Sequence, residues 1–230
     1  MTWDWEFALS IFPTLFQAMG ITLAATVAAY AIALVFGLVL AFGRRCKWKL
    51  IAWPTIGFIE FVRSTPPLVQ LFFLFYAWPQ LPYIGMSLSP FTAGAIGLGL
   101  HYSTYMSEVY RSGIEAVPKG QWEASKALNF SRVQTWTHIV LPQAIPPVIP
   151  MLGNYLIVMF KETPLLSAIT VVEMLQTAKI IGSETFRYLE PMTIVGLLFF
   201  VLSYPSAILV RKVEQRMQLK GKSAQKGVVT

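Results

Sequence analysis

The stretch ITLAATVAAYAIALVFGLVLAF fills residues 21–42, and no Asp, Glu, Lys or Arg interrupts it. About 20 consecutive apolar residues suffice to cross the hydrocarbon core of a bilayer. Directly after it come Arg44, Arg45, Lys47 and Lys49, and basic residues gather on the cytoplasmic flanks of membrane spans. The whole chain shares this character. Of its residues, 55% are hydrophobic and 13% charged, against roughly 25% charged in soluble domains. Such a composition cannot cover a water-facing surface, so much of the exterior faces lipid. The net charge of +7 is then a topology signal rather than a mark of nucleic-acid binding. Cys46 is the single cysteine, so no intrachain disulfide forms. The first Lys or Arg is Arg44. A cleavable secretory leader needs a basic start, so the first apolar segment is expected to remain.

Working outward, five spans account for the sequence: about 21–42, 50–76, 91–110, 140–160 and 192–210. Charge distribution orients them. Fourteen of the 18 Lys and Arg fall on one side, which predicts a periplasmic N-terminus and a cytoplasmic C-terminus. The second span closes in Trp78-Pro79-Gln80-Leu81-Pro82, an uncharged turn with interfacial aromatics. The fourth carries Pro142, Pro146, Pro147 and Pro150, tolerated where neighbours satisfy the freed carbonyls. Residues 163–190, half apolar and half polar, read as a short re-entrant or outer-face helix followed by an external loop. Residues 1–216 form one membrane domain, and 217–230 an unordered cytoplasmic tail. A span set this small would not enclose a solute pathway alone, so a partner of similar size is expected.

Residues 113–142 form a polar cytoplasmic interval. Pro118 and Gly120 stop the preceding helix. A short helix follows over 121–128, with Trp122, Ser125 and Lys126 within one turn. Asn129 ends it, being among the few residues that accept a left-handed cap. A second short helix over 131–139 is N-capped by Ser131. Physics alone leaves two readings open: an amphipathic loop resting on lipid headgroups, or a docking surface for a cytosolic partner.

Here the residues resemble a known family. Glu123-Ala124-Ser125, with Ile139, Leu141 and Pro142 at fixed distance, is similar to the Glu-Ala-Ala loop of importer-type ABC permeases. Ser125 stands where that pattern has its second Ala, and Asn129 where it has Gly. Arg63-Ser64-Thr65-Pro66-Pro67-Leu68-Val69-Gln70 resembles the Arg-Gly-Thr-Pro-Leu-Leu-Val-Gln signature of the polar amino-acid branch. Glu108–Ile114, Val117–Gln121 and Lys161–Ile169 resemble further segments of that branch, the last with Pro164 for Ser. The likeness covers about 20–216. It implies an all-α integral membrane protein of the type I importer fold, multi-pass in the bacterial inner membrane. It also implies a second permease subunit, identical or paralogous, a cytosolic ATPase dimer that binds ATP and Mg, and a periplasmic solute-binding protein. Trp122, Glu123, Ala124, Ser125, Leu128 and Asn129 would dock the ATPase. Residues 161–189, notably Glu184–Pro191, resemble permeases for ectoine and hydroxyectoine. Glutamate or aspartate, basic amino acids, cystine and opines are the other solutes of such permeases.

Arg63, Glu60, Glu108, Lys161 and Glu162 are ionisable groups near or within spans. Each costs about 2.5–3.5 kcal/mol if left facing lipid, so each must meet water, a partner charge or an interface. A zwitterion needs a cation for its carboxylate and an anion for its ammonium. Arg63 and Glu108 would supply these, with Gln70, Lys161 and Glu162 as further pathway candidates. The alternative is that Arg63 and Glu108 are structural ion pairs at cytoplasmic helix ends. His101 and His138 show no metal-ligand spacing and read as ordinary polar positions. No Gly-x-x-x-x-Gly-Lys loop occurs, so ATP would be hydrolysed by the partner alone. No His-Glu-x-x-His or Gly-x-Ser-x-Gly constellation points to a membrane enzyme. A passive channel is the rival from another class.

Overall fold

The computed structural model describes residues 2–226, with side chains described to residue 217. The first helix, α1, runs Trp5–Gly43, far longer than the expected 21–42. At 1.5 Å per residue it measures roughly 58 Å, so only part of it can lie in hydrocarbon. It starts early because Asp4 caps it, Oδ1 accepting the Phe7 N–H at 3.1 Å. Pro13 lies inside it. The C-terminal boundary falls where the basic cluster begins, as expected.

The expected second span is not one helix. It comprises α2 (Lys49–Ser64), then α3 (Pro67–Phe72), which continues as a π-helical turn to Ala77 and a 3₁₀ turn to Gln80. The chain bends by 108° between the two arms. The cause is Pro66-Pro67. Neither residue has an N–H, and a residue before proline is pushed out of the helical region. Thr65 and Pro66 accordingly sit at ψ 142° and 138°. The sequence announces broken backbone both at Pro66-Pro67 and at the 78–82 turn; the sharper break lies at 65–67.

Next come α4 (Pro90–Glu115), α5 (Lys119–Ala127) and α6 (Arg132–Gln134), which passes through a π-helical stretch, Thr135–Val140, into α7 (Leu141–Glu162). The segment 132–169 is one apolar rod. The expected separate helix over 131–139 is thus the first part of the fourth span. A 3₁₀ stretch Thr163–Ile169, α8 (Met174–Thr185) and α9 (Leu189–Lys226) complete the chain. The short helix expected after 163 is present. The expected external loop is largely α8, because Glu173, buried outright, caps it by accepting the Leu175 and Gln176 N–H groups at 3.0 and 2.8 Å. The expected tail falls on the last turns of α9 and on 227–230, which lie outside the described residues.

Among the described residues, three helices are long and apolar enough to cross a membrane, or four if the bent pair counts as one span. The remaining expected span, α4, has the length but not the hydropathy. Its polar side chains point inward: His101, Ser103, Thr104 and Ser107 are all buried. They are shielded from lipid by α1, α3 and α7, against which α4 packs. The α1–α4 seam is the core of the molecule. Ala25, Ala29, Ala33 and Gly37 of α1 recur every fourth residue, forming one smooth stripe. Small residues let membrane helices approach closely. A Cβ on Gly37 would lie 2.6 Å from Met106 Cβ, and one on Gly99 would lie 2.6 Å from Ile32 Cγ2.

Where α1 begins, a clasp joins it to the α8–α9 connection. Arg187 binds Asp4 Oδ2 at 2.9 Å and Glu190 Oε1 at 2.6 Å, and its guanidinium lies 4.6 Å from the Phe7 ring centroid. The Phe7 N–H and the Arg187 guanidinium hold the Asp4 carboxyl below the usual carboxylate range.

Candidate functional site

The 65–67 break exposes backbone carbonyls that no helical N–H can reach. One side chain answers for them. Gln70, one turn into α3, directs Nε2 at the Val62 and Thr65 carbonyls, 2.7 and 3.0 Å away, and at Thr65 Oγ1, 2.7 Å away. Its Oε1 meets His101 Nδ1 at 3.1 Å. Gln70 therefore satisfies the broken span and ties it to α4.

The break opens a cleft of ≈ 460 Å³ against α4 and α7. Its walls include Arg63, Thr65 and Pro66 from the break, His101, Tyr102 and Tyr105 from α4, and Tyr155 and Glu162 from α7. Arg63 lies 5.4 Å from the Tyr105 ring centroid, a cation–π contact. Glu162 lies close enough to Tyr102 and His101 to act on both electrostatically. Its Oε2 is buried with no hydrogen-bond partner. A buried unpaired carboxylate oxygen is costly, and a donor entering the cleft would relieve it. The arrangement places a cation and an anion in the lining of one aromatic-walled space, the pair of charges a zwitterion needs.

Three expectations change here. Glu108 does not line the cleft as the counter-anion but makes the structural ion pairs of the alternative expectation. Its Oε1 pairs with Arg44, and its Oε2 receives Arg111 Nε and Nη2 at 2.8 and 2.7 Å. Arg63 lies 3.7 Å from the same carboxylate. Arg111 also pairs with Glu115, and Arg45 lies 3.9 Å from Glu115. Glu108 is thus the hub joining the ends of α1, α2 and α4, Arg63 among its partners, and Glu162 is the acidic residue that lines the cleft. Lys161 is exposed and does not line the cleft. His101, read from sequence as an ordinary polar position, lines the cleft with the three tyrosines. The run His101–Tyr105 within an uncharged span was the signal for three of these residues. Tyr155 had none. His138 stays at the surface beside Thr137.

Around α5 the local geometry follows the sequence closely. Asn129 adopts φ 57°. The Phe130 N–H reaches the Ser125 carbonyl and the Asn129 N–H reaches the Lys126 carbonyl, both at 3.0 Å. These are the two bonds of a Schellman cap. Ser131 and Gln134 then form a reciprocal capping box at 3.3 and 2.9 Å. Glu123, Ala124 and Leu128 are exposed, Leu128 by 69%. Ser125 is buried, and Trp122 is half-buried. Trp122 meets Trp136 edge-on at 5.6 Å, beside Val117, Val140 and Ala144. The buried Ser125 hydroxyl lies 3.3 Å from Thr135 Oγ1. Both side chains fasten α5 to the start of the α6–α7 rod.

Comparison with known proteins fits this geometry. A family model described as a binding-protein-dependent transport system inner membrane component matches residues 33–219. A probable amino-acid ABC transporter permease of Sinorhizobium fredii is 46% identical over 225 residues, 96% of each chain. A probable glutamine ABC transporter permease of Bacillus subtilis is 34% identical, covering 86% of this chain and 90% of its own. A solved structure described as an amino acid ABC transporter with histidines superposes at a TM-score of 0.87. It shares 34% identity and covers 94% of this chain and all of its own.

Proposed function

We propose a function from one premise: this chain belongs to the family of binding-protein-dependent transport system inner membrane components. It is the permease component of an amino-acid ABC importer and an integral protein of the inner membrane; the ATPase is a separate subunit, and a solute-binding protein is the other partner class. The finer reading is our own. The cleft at the 65–67 break is the solute pathway, and its cargo is a polar amino acid or a related zwitterion. Arg63 takes the carboxylate and Glu162 the ammonium. The observation that carries this is that Arg63 and Glu162, whose Oε2 has no hydrogen-bond partner, line one ≈ 460 Å³ cleft. Glutamine and arginine, named for relatives, are the first cargoes to test. Ectoine and hydroxyectoine present the same two charges.

Coupling to the ATPase runs through α5. Its exposed Glu123 and Leu128 offer the contact, and the Trp122–Trp136 and Ser125–Thr135 pairs bind it to the rod. That rod carries Tyr155 and Glu162 at the cleft, so a displacement of α5 on ATPase closure reaches the pathway without an intervening hinge loop. The cargo contacts then differ between two states, which alternating access requires. Residues 1–216 act as the membrane domain, with the α1 start periplasmic and the α5 face cytoplasmic. Uptake of labelled glutamine, arginine and ectoine into proteoliposomes holding the complete importer tests this. Arg63→Ala and Glu162→Gln should each lower uptake by at least tenfold while the complex still assembles. Wild-type uptake rates in both variants would refute the pathway assignment. Solute leak without ATP would instead favour a passive channel.

A further inference from the structure

We infer that His101 is a specificity-determining residue, one that demands an N–H donor on the transported cation. This rests on the cleft being the amino-acid pathway. The Gln70 amide nitrogen lies 2.7 and 3.0 Å from two carbonyl oxygens, which only accept. Thr65 Oγ1, its third neighbour, spends its own proton on the Phe61 carbonyl at 3.0 Å. The nitrogen end of the amide is therefore fixed, and the end facing His101 is the oxygen. An oxygen there accepts, so His101 Nδ1, 3.1 Å away, carries the hydrogen. In the neutral imidazole that leaves Nε2 as a bare acceptor.

The ring is also fixed in place. It stands edge-on to Tyr102 with centroids 5.3 Å apart and tilted against Tyr105 at 5.4 Å. His101 lines the cleft, and among the described residues no hydrogen-bond partner is found for Nε2. The cleft thus offers two acceptors, His101 Nε2 and Glu162 Oε2, the latter with no hydrogen bond of its own although the Tyr102 hydroxyl lies near its carboxylate. A carboxylate alone attracts any cation, including a quaternary ammonium. An imidazole nitrogen accepts only from a polarised N–H or O–H. His101 makes the difference between an ammonium, or a ring N–H, and a fully alkylated nitrogen of the same charge.

The test is calorimetric titration of the purified permease–ATPase complex without binding protein. The probes are L-glutamine, L-arginine and L-histidine, each paired with its Nα-trimethyl betaine. Wild type should prefer the amino acid. Asn at 101 places its amide where Nδ1 was and keeps the Gln70 contact but has no far acceptor. Gln at 101 places a polar atom near Nε2. We expect His101→Asn to shrink the preference on the order of tenfold, and His101→Gln to retain most of it. An unchanged preference in His101→Asn, or equal loss in both variants, overturns the inference and leaves the pathway standing. Failure of the wild-type complex to bind any of the three amino acids overturns the pathway reading and this inference with it.

Discussion

Asn129 holds φ 57°, a conformation that costs most residues roughly 1–2 kcal/mol and Asn less. It does so to close the Schellman cap, which turns the chain from α5 into α6. Asn129→Gly should therefore leave thermal stability unchanged or raise it slightly, with transport intact. Asn129→Val should lower stability by ~1–2 kcal/mol, read as a drop in the melting temperature of the detergent-purified complex. Equal melting temperatures for the Val and Asn proteins would mean that the cap does not need the left-handed residue. The cap was legible in the sequence because it depends on neighbours along the chain. The neighbouring Ser125 was not. Its burial against Thr135 depends on where the rod lies, so an outward docking contact was a fair expectation that packing reversed.

At the scale of the element, the α1–α4 seam decides whether the helices assemble. Gly37→Ala puts a methyl 2.6 Å from Met106 Cβ and 3.1 Å from the Ser103 carbonyl, so the helices must separate. Overpacking of this kind costs typically ~1–3 kcal/mol. Gly57→Ala is the matched control, since nothing lies within 4 Å of the added methyl; it should be neutral. Melting temperatures of the two variants make the comparison, and equal stability would show that the seam has room. The bent α2–α3 pair shows the opposite case. Pro66-Pro67 announced a break, but whether 50–76 would stay one span depended on Gln70 capping the freed carbonyls.

For the whole molecule, the Asp4–Arg187–Glu190 clasp ties the first residues to the last two helices. Asp4 is depressed below its ordinary value of 3.8 by the Phe7 N–H and by Arg187. A carboxylate with a lowered folded-state pKa contributes stability above the unfolded value and loses it as pH falls through the folded one. Hydrogen-exchange protection of the first turn of α1 should hold unchanged from neutral pH down to 4.5, the ordinary value of the neighbouring Glu190 carboxyl, which Arg187 also lowers, and fade below it. Asp4→Asn should weaken that pH dependence while leaving protection in the middle of α4 untouched. A profile identical in the variant would remove the clasp as its source.

Composition and charge asymmetry by themselves determined that this chain lives in a membrane as a bundle of helices. Both are bulk properties, fixed by transfer energies that act residue by residue. Local motifs likewise determined the α5 cap, whose bonds span only a few positions. The tertiary structure alone decided which charges face each other. Glu108 and Glu162 look equivalent along the chain, each in or near a span with a basic neighbour. Only the packing of α1, α2 and α4 surrounds Glu108 with arginines, and only the 108° break brings Arg63, His101 and Glu162 to one cleft. An ionisable group inside a membrane must find a partner, but the partner lies at a distance in sequence that no local pattern records.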